Sequence, residues 1–177
     1  MPHSLVNMFH KSIDHVTSQK ILDTFKNRDS QLRVLFSTIA FGMGIQIPDV
    51  TVVIHWGVPN SILSYWQEVG RAGRDGHQAY AICYAYGRSM DKRYTSESLI
   101  AVCKGVIAGK KCVRMEVLRA LSVKGMDAIE LQTDGLCDGK CMTKCACCLC
   151  VCCSVCFDKC ACVNKYVSIW EKMGLGD

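Results

Sequence analysis

Several things this sequence does not have narrow its place before any motif is considered. Its amino terminus, MPHSLVNMFH, carries no apolar run of signal-peptide length. No stretch is long and apolar enough to cross a bilayer. The nearest, CACCLCVCCSVCF at 145–157, is too short, owes its apolar look to cysteine, and is flanked by Lys144 and Lys159. Strong charge of one sign is also missing. The formal net charge is +5, from 21 Lys+Arg against 16 Asp+Glu, which permits a polyanionic partner without demanding one. No long internal repeat is present. These absences lead to the expectation of a soluble intracellular chain with no membrane partner. At 177 residues, half of them apolar, it has room for one ordinary domain and an appendage.

Cysteine is what the chain has in excess. Of 14, Cys83, Cys103 and Cys112 are scattered and the other 11 fall between Cys137 and Cys162. Without a secretion signal a disulfide framework is not expected, and metal binding becomes the leading reading of the cluster. Cys147, Cys150, Cys153 and Cys156 recur every three residues, and pairs such as Cys145–Cys147 and Cys160–Cys162 have the spacing of thiolate-rich metal stores. A single zinc site, a multi-metal thiolate cluster and a featureless tail all remain open on spacing alone.

The first ~90 residues alternate between strand-like and helix-like runs. SLVNMFH reads as a strand. Asp14 can cap HVTSQKILDTFKN, in which Ile21, Leu22 and Phe25 share a face. LRVLFST at 32–38 and TVVIHW at 51–56 read as buried strands, and AYAICYAY at 79–86 as another. Asn60 can cap SILSYWQEVGR, with Ile62, Leu63, Trp66 and Val69 turned inward. Strand–helix alternation predicts an α/β fold, a parallel sheet flanked by helices. Ligands of such sheets collect at the carboxyl ends of the strands, so the glycine loop after Thr38 and the arginine segment after the next strand are expected on one rim. After Gly87 the strands stop. DKRYTSESLIAVCKGV and GKKCVRMEVLRAL read as helices. The expected divisions are a 1–88 α/β lobe, an 89–162 helical Cys-rich subdomain and a 163–177 tail.

Two segments carry chemistry. QEVGRAGRDG, 67–76, places Arg71 and Arg74 three apart among Gly70, Gly73 and Gly76, with Gln67 one turn before Arg71. Guanidinium is permanently charged and its planar fork fits phosphate oxygens, and glycines let a large anion approach. The same string is also what a helix carboxyl terminus with basic residues and glycine caps looks like. In STIAFGMGIQIPDV, hydroxyls at Ser37 and Thr38 and backbone amides near Gly42 and Gly44 can bind nucleic-acid phosphates. Alone, that string is simply a glycine loop. The exposed-stacking role open to Trp56, Tyr65 and Trp66 is set against packing, which the core spacing of Trp66 favours. His55, in a buried strand, reads as a satisfied core residue.

Taken together, in this order and spacing, the strings resemble motifs V and VI of the RecQ family of DNA helicases, and MFHKSIDHVTSQKILDTF resembles the motif IV region. The resemblance covers residues 5–88 and continues through KKCVRMEVLRAL and the cysteines, which look like that family's zinc-binding subdomain. It implies a RecA-like second motor lobe of an ATP-dependent 3′-to-5′ DNA helicase, nuclear or cytoplasmic. Gln67, Arg71 and Arg74 match the motif whose arginines reach the ATP phosphates, with Gly70 and Gln46 beside the nucleotide. Ser37, Thr38, Gly42, Gly44 and His10 fall where DNA backbone is expected. The implied zinc ligands are Cys112, Cys152, Cys153 and Cys156, with Cys147, Cys148 or Cys150 able to replace Cys152. The implied partner is DNA, a single strand or a single/double-strand junction.

The same resemblance exposes what is missing. No GxxxxGK[ST] phosphate loop is present; GVIAGKKC has one residue too few between its glycines and Lys111 where the hydroxyl should stand. No DExH box appears. Magnesium–ATP is therefore expected only with a first lobe supplied in cis or in trans, and the isolated chain is expected to hydrolyse no ATP. Gln46 and Gly57 stand where an acid is usual in the family. A catalytically inactive nucleic-acid or protein binding module is the rival expectation.

Overall fold

The computed structural model describes residues 4–38, 47, 49–126 and 153–158. Four strands and five α-helices are present among them: β1 (Val6–Phe9), α1 (His15–Lys26), β2 (Val34–Ser37), β3 (Val52–Trp56), α2 (Ile62–Val69), β4 (Tyr80–Tyr84), α3 (Glu97–Ile107), α4 (Val113–Leu121) and α5 (Ser154–Asp158). A short 3-10 turn, Gly87–Met90, separates β4 from α3.

The local signals act where expected. Asp14 is the N-cap of α1 and accepts from the Thr17 amide at 2.9 Å, filling one of the donors a helix start leaves unpaired. Ile21 and Leu22 are the buried residues of that helix. The strands are parallel, β1 with β2 from Val6↔Val34 to Phe9↔Ser37, and β3 with β4 from Val52↔Tyr80 to Trp56↔Tyr84. Parallel neighbours need crossovers, and α1 and α2 supply them.

Three expectations are corrected. The single sheet is two separate two-stranded ladders among the described residues. The strands expected to be buried cover only one face, because each pair has a single helix crossing it in the described chain. Val6, Met8, Val34 and Phe36 share the open side of β1–β2, with Phe36 62% exposed. Ile54, Trp56 and Tyr84 do the same on β3–β4, with Trp56 82% exposed. On α2, Ile62 is buried, but Leu63 and Trp66 are exposed rather than inward. Asn60 contributes its carbonyl, which accepts from the Ser96 amide at 2.8 Å.

The chain divides into two compact units, residues 1–57 with 64–84, and residues 58–63 with 85–177. Ile21, Leu22, Leu32 and Ile47 form the core of the first. In the second, α3 packs on α4, and Leu99, Ile100, Val102, Met115, Val117, Val155 and Cys156 are buried. Thr95, a buried polar residue, donates from Oγ1 to the Ser89 carbonyl at 2.9 Å and so keeps its hydroxyl satisfied.

Candidate functional site

The arginine segment begins inside α2 and ends in a tight turn. Gln67 is exposed on the last full turn of the helix. The helix then closes through Gly70 N to the Trp66 carbonyl at 3.0 Å and Ala72 N to the Val69 carbonyl at 3.0 Å. Gly73 has φ +68°, and a side chain there would press on the His77 carbonyl at 3.1 Å and the Ala79 Cβ at 3.2 Å. Glycine is what this turn requires. Arg71 is half-buried, whereas Arg74 is exposed and donates from Nε to the Gly70 carbonyl at 3.0 Å. Arg74 thus closes the helix end through Nε, and among the described residues no other hydrogen bond of its fork is seen.

Burial, and then the Arg74 charge, pull the Arg71 guanidinium below its ordinary pKa, while the Glu68 carboxylate works the other way. Arg71 and Arg74 repel one another, and an anion nearby would relieve that repulsion. The turn does not lie at the carboxyl end of the strands. Gly73 N donates to the Val50 carbonyl at 3.0 Å, just before β3 begins. A crossover helix must return the chain to the start of the next parallel strand, so its last turn arrives at the amino ends. The expectation of one shared rim at the carboxyl ends is corrected accordingly.

The other expected contacts sit at the far end of the first ladder. Ser37 closes β2, and the Thr38 amide donates to the Phe9 carbonyl at 3.2 Å, so Thr38 and His10 emerge side by side at the carboxyl end of β1–β2. His10 Nδ1 accepts from the Ser12 amide at 3.3 Å. Ser37 and Thr38 are exposed. Gly42, Gly44 and Gln46 lie outside the described residues.

Two side-chain pairings in this unit were not legible in the sequence, although Trp56 was a stacking candidate. His55, on the helix-facing side of β3, meets Glu68 on α2 at 2.7 Å. Trp56 and Tyr84 pair at the carboxyl end of β3–β4, with ring centroids 5.4 Å apart and tilted by 50°. The first joins residues 13 apart across two elements, which no local periodicity reveals.

In the second unit, Cys112, Cys153 and Cys156 bring their sulfurs together, all within 4.8 Å of one another. Cys112 is the N-cap of α4, Cys153 precedes α5 and Cys156 is within it. Cys153 and Cys112 sulfurs are 3.8 Å apart. That matches the edge of a tetrahedron of sulfurs around zinc, about 3.8 Å for Zn–S of about 2.3 Å. Cys156 is buried, and burial, with hydrogen bonds to the other two thiols, raises its thiol far above the ordinary range. A thiol so placed gives up its proton when a cation replaces it. The donor set fits three positions of a thiolate site. Cys152, the fourth expected ligand, and the tract from Cys137 to Cys150 lie outside the described residues, as do Cys160 and Cys162.

Comparison with known proteins places this geometry. Residues 3–76 match the helicase conserved C-terminal domain. The chain is 34% identical over 113 residues to the human ATP-dependent DNA helicase Q4, covering 64% of this chain and 9% of that one. It is 54% identical over 61 residues to the RecQ-like DNA helicase blm-1 of Caenorhabditis elegans, covering 34% and 6%. With the ATP-dependent helicase SGS1 of Saccharomyces cerevisiae it shares 52% identity over 54 residues, covering 30% and 4%. This chain is a relative of the RecQ helicases. It spans a small part of the proteins it matches, from 18% of a mimivirus helicase down to 4% of the yeast one. One departure of this RecQ relative has a structural reason. Gly57, where an acid is usual, has φ +107°, which an acidic side chain would adopt only under strain, and its carbonyl faces the Cys83 sulfur at 3.8 Å. Among the described residues no helix is long and apolar enough to cross a membrane.

Proposed function

We propose that this chain supplies the second motor lobe and zinc-binding subdomain of a RecQ-like ATP-dependent 3′-to-5′ DNA helicase, with the lobe over 1–88, the subdomain over 89–162 and a tail over 163–177. Arg71 and Arg74 reach the phosphates of ATP held by another lobe, with Gln67, Gly70 and Gln46 around the same nucleotide. His10, Ser37, Thr38, Gly42 and Gly44 meet the backbone of a DNA strand, single or at a single/double-strand junction. The action takes place in the nucleus or the cytoplasm. The observation that carries the reading is the arginine turn: a half-buried guanidinium lowered by burial and by its neighbour's charge, beside a second, exposed fork anchored through Nε. That arrangement is relieved by a polyphosphate.

Zinc belongs to the second unit. Cys112, Cys153 and Cys156 would hold it, with Cys152 as the fourth ligand, and the ion would supply a structural cross-link rather than chemistry. Magnesium comes with the nucleotide and the other lobe.

Inorganic tripolyphosphate titrated into the pure chain tests the arginine reading. The Arg71 and Arg74 Nε–H resonances should shift together, and Arg71→Ala should weaken binding by about tenfold or more, the usual worth of a charge-assisted hydrogen bond. Shifts confined to surface lysines would overturn it. The rival reading, an inactive binding module, is favoured by the lack of a phosphate loop and DExH string. It predicts junction-DNA binding that stays indifferent to ATP even when a first lobe is supplied.

A further inference from the structure

Cys112 ends the short connection between α3 and α4, 108–112. Main-chain bonds tie that connection down on both sides. The Gly109 amide donates to the Val106 carbonyl at 2.8 Å and the Lys110 amide to the Gly105 carbonyl at 3.1 Å, the pair of bonds that finishes a helix whose chain turns back. The Lys111 amide also reaches the Gly105 carbonyl, at 3.3 Å. On the α4 side, the Glu116 amide donates to the Cys112 carbonyl at 3.1 Å.

Side chains reinforce both ends. The Lys111 stem lies across Gly105: a methyl at position 105 would meet Lys111 Cδ at 2.6 Å and Cγ at 3.1 Å, closer than carbon atoms pack. Lys111 Nζ then pairs with Glu116 Oε2 at 2.9 Å, and Arg119 Nη1 with Oε1 of the same carboxylate at 3.0 Å. The Glu116 side chain is 16% exposed, so two cations close on a carboxylate largely withdrawn from water. Cys112 holds the N-cap position of α4, yet its side chain makes no cap hydrogen bond. Its sulfur meets that of Cys153 instead.

We propose that Gly105, Lys111 and Glu116 are positioning residues for the thiolate site: they hold the α3–α4 connection so that Cys112 faces Cys153 and Cys156 before a metal ion arrives. This rests on the zinc reading above. The three act through Cys112, by lowering the ordering cost that metal binding would otherwise carry. Two signs separate this role from a merely structural one. Alanine favours a helix more than glycine does, so if Gly105 served only to build α3, Gly105→Ala would leave metal binding unchanged or improve it. A zinc ion held by three or four thiolates is a net negative group, so if Glu116 acted only through its charge, removing that charge would tighten the site. Displacing the Lys111 stem, or releasing its ammonium, weakens the site in both cases if the residues position Cys112.

The test titrates cobalt(II) into the full chain, reads the absorption of tetrahedral thiolate-bound cobalt, and obtains zinc affinity by competition. The part of the signal lost in Cys112→Ser belongs to this site, which separates it from the other thiols. Gly105→Ala and Glu116→Gln should each weaken zinc binding at this site by about tenfold or more, the usual cost of removing a group that orients a ligand, with helix content unchanged by circular dichroism. In Lys111→Ala, which lacks the stem, adding Gly105→Ala should cost nothing more. If either single variant binds zinc as tightly as the native chain or tighter, while Cys112→Ser loses it, the positioning role is overturned and the zinc reading stands. If the native chain shows no such absorption, or Cys112→Ser keeps all of it, the zinc reading falls and takes the positioning role with it. Should Glu116→Gln lose helix content, the Gly105 and Lys111 pair decides: a second loss that vanishes supports the role, and additive losses overturn it.

Discussion

At the scale of single residues, backbone geometry and local charge set what can be changed. Gly73 sits at φ +68° between the two arginines, with a carbonyl and a methyl already close to where a side chain would go. Gly73→Ala should cost about 1–3 kcal/mol, the usual range for a non-glycine residue held left-handed, read as a lowered urea midpoint with unchanged slope. Asp91 illustrates a charge effect. Arg93 grips its carboxylate, with Nη2 2.6 Å from Oδ2, and that hydrogen bond lowers its pKa from 3.8 to about 2. A depressed acid stabilises the fold above its ordinary range and loses that stabilisation as pH falls toward its folded value. The melting temperature should therefore drop between about pH 4 and pH 2, and Asp91→Asn should flatten that part of the profile. Because the pair is at the surface, the effect should shrink in high salt.

At the scale of elements, the contrast between covered and open faces makes a paired prediction. Leu22→Ala, in the buried stripe of α1, should cost about 2–5 kcal/mol. Phe36→Thr, on the open side of β2, should change stability by less than about 0.5 kcal/mol and should lower binding of a hydrophobic dye. Chemical denaturation of the two variants checks both. What the sequence disclosed about these elements depended on how local the cause was. Asp14 as a cap, the strand positions and the parallel pairing follow from neighbours a few residues apart or from the strand–helix alternation. Exposure of Phe36, Ile54 and Trp56 could not be read the same way. An apolar run suits a strand covered on both faces, but it does not say which second layer covers it. The return of α2 to the amino end of β3 follows from crossover geometry, yet the rule that ligands gather at carboxyl ends pointed the other way. The His55–Glu68 contact joins two elements and had no signal along the chain.

At the scale of the whole molecule, metal and nucleic acid should separate the two units experimentally. The thiol cluster was legible only in part. Cysteine density pointed to metal binding, but spacing left many thiols to choose from; among the described residues the tertiary meeting of Cys112 with Cys153 and Cys156 brings three together. Protein prepared with zinc should carry about one ion in a tetrahedral thiolate site, and Cys112→Ser should abolish stoichiometric loading. Chelation should strip hydrogen-exchange protection from α3 and α4 while leaving the β1–β2 and β3–β4 amides protected; equal loss in both units would count against a local cross-link. DNA binding should be dominated by phosphate contacts, so that affinity falls steeply and linearly on a logarithmic salt scale, and binding insensitive to salt would contradict it. ATP hydrolysis by the pure chain, with or without DNA, should be undetectable in a phosphate-release assay.

One backbone contact has a further consequence. The glycine-rich stretch after Thr38 runs on to Val50, and the Val50 carbonyl holds the amide of Gly73, which lies between Arg71 and Arg74. The link between those two segments is thus main chain to main chain. A scan that trims side chains one at a time would pass over it. Exchanging the amide at position 73 for an ester, which deletes a single proton donor and alters no side chain, would sever it.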